Sequence, residues 1–245
     1  MRVLVTRPRE DAADLVAALE SRGHAALVEP MLTIVPRDSV DWPQGHERAQ
    51  ALLVTSANGA RAFARLDARR DLPVYAVGDA SAAVARDLGF HAVVSAAGNV
   101  EDLAALVRRR LDSAAGPLLH PAAARPAGDL QGALAGEGFT VLRAVLYNAV
   151  PLRALSAEVR RAFNEGLIDV ATFFSPRTAA AFVSLAEAAA VVPACRRAVA
   201  LCLSPAVAAA LSGLPWRQVA VAARPDQAAL LAALEDIAAA GTRKA

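Results

Sequence analysis

The chain is short of aromatic residues, of cysteine and of any excess charge, and each shortage narrows what it can be. Only 4% of its 245 residues are aromatic, although 56% are hydrophobic. Alanine and leucine therefore supply most of the apolar surface, a composition suited to helices that cover sheets. The 26 basic and 24 acidic residues leave a net charge of +2, without the basic helix or stripe of a nucleic-acid footprint. The run Arg108–Arg110 closes a helical segment, where basic residues complement the helix dipole. Cys195 and Cys202 match no metal or redox spacing and read as small hydrophobes. His24, His46, His91 and His120 are scattered, with no HExxH and no Cys/His cluster, so no metal site is expected. No apolar run reaches the roughly 20 residues of a membrane span. A strand begins at Arg2-Val3-Leu4, which leaves no signal-peptide pattern. The expectation is a cytoplasmic chain with neither a nucleic-acid nor a membrane partner. GxGxxG and GxxxxGK[ST] are both missing, so a nucleotide cofactor has no motif behind it. There is no GxSxG elbow, and paired carboxylates are missing from the turns.

What the sequence does contain is an internal duplication. Ala51–Phe63 matches Val170–Phe182, with Ser56 over Ser175. Val74–Leu88 matches Ala200–Leu214. Met1–Ile34 matches Ala115–Ala149, with Leu4 over Leu119 and Gly23 over Gly138. Each unit reads as an apolar strand, a turn with small or hydroxyl residues, and an alanine-rich helix. Strand–helix alternation throughout predicts two similar α/β domains with mainly parallel sheets. A cleft between two such domains is a natural ligand site, and helix N-termini in it favour an anion.

Strands are expected at Arg2–Val5, Ala25–Glu29, Leu32–Val35, Ala51–Thr55, Val74–Val77, Ala92–Val94, Pro117–His120, Thr140–Val150, Val170–Phe174, Val199–Leu203 and Gln218–Ala222. Asn99-Val-Glu-Asp102 has the form of a capping box, and the polar tail from Ala240 is expected to fray. The repeat permits two divisions of the chain. One gives 1–112 and 115–240. The other exchanges units, so that 1–34 joins 151–245 and 37–147 stands alone, with 32–36 and 145–151 as linker strands. The equivalence of the two extended runs, each ending in a proline (Pro36, Pro151), favours the exchange.

Ligands of open α/β sheets bind beyond the carboxyl ends of the strands. The residues placed there are Thr6, Ser56, Gly78, Ser81, His120, Ser175 and Ser204, with Arg7 and Asn58 in the same turns. Any one of the hydroxyls could be merely an N-cap; the set together points to binding. Tyr147 lies in the second crossover run, VLYNAVP, where a phenol could act as a general acid or simply pack as a strand tyrosine. A polar cleft without nucleophile, metal or cofactor motif suggests binding, or chemistry that mainly needs its substrate held in shape.

The residues Val5-Thr6-Arg7-Pro8, Val54-Thr55-Ser56-Ala57-Asn58-Gly59, Val77-Gly78-Asp79-Ala80-Ser81, Gly138-Phe139 through Tyr147, and Phe173-Phe174-Ser175-Pro176, in that order and spacing, resemble the uroporphyrinogen-III synthase family. The resemblance implies two α/β domains joined by a two-stranded linker, the first discontinuous. It also implies a monomer without cofactor or metal that acts on hydroxymethylbilane, a linear tetrapyrrole with eight carboxylates, closing it with inversion of ring D. A transient contact with hydroxymethylbilane synthase would follow. Carried over by position, Tyr147 resembles the family's cleft tyrosine, and Ser56, Ser81 and Ser175 its wall hydroxyls. Ser204 and Val207 stand where the family pattern has glycine and threonine, and His120 where an arginine–glycine pair is common. The rival readings are a non-enzymatic two-domain protein that binds a small anion and a sugar-nucleotide transferase.

Overall fold

The computed structural model describes residues 1–125 and 128–242. Strands and helices alternate along the chain: β1 (Arg2–Val5), α1 (Arg9–Glu20), β2 (Ala25–Val28), β3 (Leu32–Pro36), β4 (Ala51–Val54), α2 (Ala57–Leu66), β5 (Val74–Ala76), α3 (Asp79–Asp87), β6 (Val93–Ser95) and α4 (Val100–Arg110). They continue with β7 (Leu118–Ala123), α5 (Leu130–Ala135), β8 (Val141–Pro151), α6 (Ala157–Asn164), β9 (Val170–Phe173), α7 (Pro176–Ala188), β10 (Val199–Cys202), α8 (Pro205–Ala209), β11 (Gln218–Val221) and α9 (Gln227–Thr242). The chain forms two compact units, one made of Met1–Thr33 with Val150–Ala245, the other of Ile34–Ala149. The first domain is therefore discontinuous, and β3 and β8 carry the chain from one unit to the other.

The first unit holds a five-stranded sheet in the order β11-β10-β9-β1-β2; the second holds six strands in the order β3-β8-β7-β4-β5-β6. Under the duplication β1 corresponds to β7, β2 to β8, β9 to β4, β10 to β5 and β11 to β6, so both sheets have one topology. The paired registers of the core strands are parallel. β3 is an addition to the second sheet and runs antiparallel to β8. Leu152 N–H donates to Met31 C=O beside one end of the pair, and Arg37 N–H to Leu146 C=O at the other, both at 2.9 Å.

Central strands of such sheets are covered on both faces, so they are apolar without alternation. β4 (ALLV), β9 (VATF) and β10 (VALC) are buried at every residue. In the first unit Leu4, Ala171 and Phe173 pack under α6, α7 and α8, while Val3, Val5 and Val170 pack under α1 and α9. In the second, Leu52, Val54, Ala144 and Leu146 pack under α2 and α3, and Ala51, Leu53 and Val141 under α4 and α5.

Local signals set the helix ends. Asn99 accepts from Glu101 and Asp102 N–H groups, and the Asp102 carboxylate accepts from Asn99 N–H, the reciprocal cap expected from the sequence. Pro176 and Pro205 start their helices. Two expectations are corrected. The strand drawn to stop at His120 continues to Ala123, which puts His120 within the strand. The fraying expected from Ala240 does not begin there, since α9 runs to Thr242; the rest of that tail lies outside the described residues.

Candidate functional site

In the second unit, β4 ends at Val54 and delivers Thr55 and Ser56 to the start of α2. Ser56 is the N-cap in extended backbone, and its Oγ accepts from Gly59 N–H at 3.3 Å. The same Oγ lies 2.8 Å from the Tyr147 hydroxyl. Tyr147 is 6% exposed and comes from β8, on the far side of β7. Simple alternation along β8 would put Tyr147 on the face of Val141, away from α2. It reaches Ser56 because β8 carries an inserted residue. Ala122 pairs with Val145, but Ala123 pairs with Tyr147, leaving Leu146 unmatched. The bulge turns Tyr147 onto the face of Ala144 and Leu146, and all three share one core cluster.

Gly59 makes the approach possible. A Cβ there would stand 2.6 Å from the Pro121 carbonyl oxygen of β7, so α2 sits closer to the sheet than any side chain allows. The repeat makes the consequence plain. Ser175, the counterpart of Ser56, caps α7 and bonds the Thr178 hydroxyl at 2.8 Å within its own helix turn. Gly59 stands where Thr178 would be, and the hydroxyl that meets Ser56 instead comes from Tyr147. Asn58, in the same turn, accepts from Arg61 Nη1 at 3.0 Å. At the next strand end, Gly78 caps α3 with no side chain, in extended backbone. The helix start is open there, with Ser81 in its first turn, 8% exposed. The carboxyl ends of β4, β5 and β7–β8 thus gather Ser56, Asn58, Gly78, Ser81 and Tyr147 along one edge of one sheet.

His120 does not join them. It pairs with Arg143 across β7 and β8 and lies on the opposite face, its Nε2 3.1 Å from Thr55 Oγ1. Burial, with the Arg143 charge as a smaller cause, pushes its pKa down to about 4. It is neutral near pH 7 and supplies no cation for an anion.

In the first unit, Thr6 is fully buried and donates to Thr172 C=O at 2.6 Å, while the Thr172 hydroxyl donates to Leu4 C=O at 3.1 Å. These bonds fasten β1 to β9 and engage the Thr6 hydroxyl that the sequence suggested for a ligand. Arg7 lays its guanidinium over the Phe174 ring, 4.4 Å from the centroid, and donates to Gln227 Oε1 at 3.1 Å. Ser204 occupies the cap position of α8 without a side-chain cap bond, as Gly78, its counterpart, does for α3. Thr55, Gly59 and Arg143 were not among the sequence candidates. Gly59 carried a signal, a glycine just inside a helix, but its meaning depends on Pro121, a long way along the chain.

Among the described residues, no three His, Cys, Asp or Glu side chains come together as a metal-binding group, and no helix is long and apolar enough to cross a membrane. The family model described as uroporphyrinogen-III synthase HemD matches residues 13–232. The chain belongs to this family. Among solved structures, the chain is similar to uroporphyrinogen-III synthetase from Helicobacter pylori, with 17% identity, a TM-score of 0.61, and 97% of this chain and 100% of that one covered. It is also similar to a mutant uroporphyrinogen III synthase from the extremely thermophilic bacterium Thermus thermophilus, with 21% identity, a TM-score of 0.54, and 97% and 98% covered. At these identities the likeness shows the two-domain fold. Comparison with curated proteins finds no match.

Proposed function

We propose that this chain converts hydroxymethylbilane to uroporphyrinogen III, closing the linear tetrapyrrole with inversion of ring D. The observation that carries the reading is the Ser56–Tyr147 pair, 2.8 Å apart at the N-terminus of α2, in a member of this family. The phenol donates a proton to the terminal hydroxyl, which leaves as water while the pyrrole nitrogen supplies electrons. Ser56, fixed by the Gly59 N–H, orients that phenol. The resulting azafulvene is attacked by the substituted carbon of ring D, giving a spiro intermediate that fragments and re-closes. The proton lost as ring D regains aromaticity restores the phenol. The substrate carboxylates meet free N–H groups at helix starts such as α3, where Gly78 leaves the backbone uncovered. The work of the protein is then to hold eight carboxylates in one shape and to release one hydroxyl. In this reading it acts as a cytoplasmic monomer without cofactor.

The test is to supply hydroxymethylbilane to purified protein and identify the isomer formed. Wild type gives the III isomer faster than unaided closure gives the I isomer; unaccelerated closure to I refutes the assignment. A general acid contributes about 10²–10⁴-fold, and the low end is expected because the pyrrole nitrogen already helps expel the hydroxyl. Tyr147→Phe keeps the ring in its core and removes the donor, so it turns over more slowly and lets the I isomer compete. Wild-type rate and pure III isomer from that variant would remove Tyr147 from the mechanism.

A further inference from the structure

Tyr147 faces Ser56 only because Leu146 is inserted into β8. Bulges between parallel strands are rare, and each leaves backbone groups without ladder partners. Arg143 meets that need. Its Nη2 donates to Ala123 C=O at 2.6 Å and to Ala124 C=O at 2.7 Å, the carbonyls where β7 ends. These same two residues hold the Tyr147 backbone: Ala123 is its register partner, and Ala124 N–H donates to Tyr147 C=O at 3.0 Å. Arg143 thus starts on the strand of Tyr147, reaches across to β7, and grips the two residues that seat it. Among the described residues the buried Arg143 Nε has no acceptor, a cost that a surface arginine would not carry. Hydrogen bonds from a charged donor are about twice as strong as neutral ones, which suits a clamp on an irregular ladder.

We infer that Arg143 is a positioning residue: it holds the β8 bulge in place and so keeps the Tyr147 hydroxyl against Ser56, without touching substrate itself. The alternative state is discrete. If Ala123 paired with Leu146, ordinary alternation would turn Tyr147 to the face of Arg143 and His120. The kinetic part of this inference rests on the proposed role of Tyr147; the structural part stands apart from it.

The experiment has two readouts. In a Tyr75→Phe background Tyr147 is the single tyrosine, so tyrosine-labelled protein gives one ring signal by NMR. Arg143→Gln displaces that signal, and Arg143→Lys, which keeps a charged donor, leaves it near its place. In turnover, Arg143→Gln lowers kcat by the same factor as Tyr147→Phe with KM little changed, the double variant is no slower than either, and Arg143→Lys recovers most of the rate. An unmoved ring signal in folded Arg143→Gln overturns the inference, as does a double variant whose losses multiply. Wild-type turnover from Tyr147→Phe together with a displaced signal in Arg143→Gln removes the proposed role of Tyr147 but supports the clamp. Should Arg143→Gln fail to fold, Arg143→Met and Arg143→Lys decide together: a ring signal displaced in Arg143→Met but kept near its place in Arg143→Lys supports the clamp, and one unmoved in Arg143→Met, or displaced alike in both, refutes it.

Discussion

Replacing Gly59 with alanine tests the packing from which the Ser56–Tyr147 pair is built. In an open helix interior this change stabilises by about 1 kcal/mol, because alanine loses less backbone freedom. Here the new Cβ would stand 2.6 Å from the Pro121 carbonyl oxygen. Ordinary carbon–oxygen contacts begin at about 3.3 Å, so by difference α2 and β7 must part by about 0.7 Å. Both partners are backbone, and no flexible side chain can give way. Overpacking costs about 1–3 kcal/mol; with a rigid Cβ against backbone the upper part, about 2–3 kcal/mol, applies, and less the helix gain of about 1 kcal/mol a net loss of about 1–2 kcal/mol is expected. The two tryptophans allow the loss to be located. Trp42 packs on Phe63 of α2 in the second unit, and Trp216 on Phe173 and Phe182 in the first. In urea, the Trp42 transition of a Trp216→Phe protein should move to lower denaturant on Gly59→Ala, while the Trp216 transition of a Trp42→Phe protein stays in place. Because Gly59 N–H also fixes Ser56, turnover should fall with it. Gly136→Ala is the control: Gly136 has helical φ and nothing within 4 Å of its Cβ direction, so stability should hold or rise. A Gly59→Ala protein as stable as wild type would refute the close-approach argument.

Three further outcomes are expected. Ser56→Ala and Ser175→Ala each remove an N-cap and should destabilise by about 1 kcal/mol. Neither should abolish turnover, but Ser56→Ala should lower kcat while Ser175→Ala, whose partner Thr178 is local, should act on KM; equal effects on kcat would count against a special role for the Ser56–Tyr147 pair. His120 is held neutral, with its pKa pushed from the ordinary 6.5 down to about 4. The unfolded chain therefore binds the proton first, and stability should be full above about 6.5 and fall as pH drops from there toward about 4. His120→Gln should flatten this part of the profile in urea melts, and an unchanged slope would exclude His120 as its source. The Cys195 and Cys202 thiols are buried and raised to about 11 and about 12, so both should resist alkylation in the native protein and react after unfolding, as mass spectrometry would reveal.

Much of this architecture could be read locally. Strand and helix alternate with the hydrophobic pattern, the capping residues Ser56, Asn99 and Ser175 stand where their helices begin, and the duplication foretells two sheets of equal order. These features depend on neighbours along the chain, which is why they survive a reading of sequence alone. The candidate site was legible only in part. The turns carrying Ser56, Gly78 and Ser175 were found because they follow strands. The partners of Thr6 and His120 were not, since a hydroxyl or imidazole at a strand end looks the same in the sequence whether or not it bonds Thr172 or Thr55 across the sheet. Tyr147 shows the limit most clearly. Side-chain facing along a strand has a period of two, and its position in β8 predicts the face opposite Ser56. One inserted residue, Leu146, with Arg143 bound to the carbonyls beside it, reverses that facing. A bulge is a property of two paired strands together, and pairing between residues far apart in the chain is settled only when the sheet is assembled.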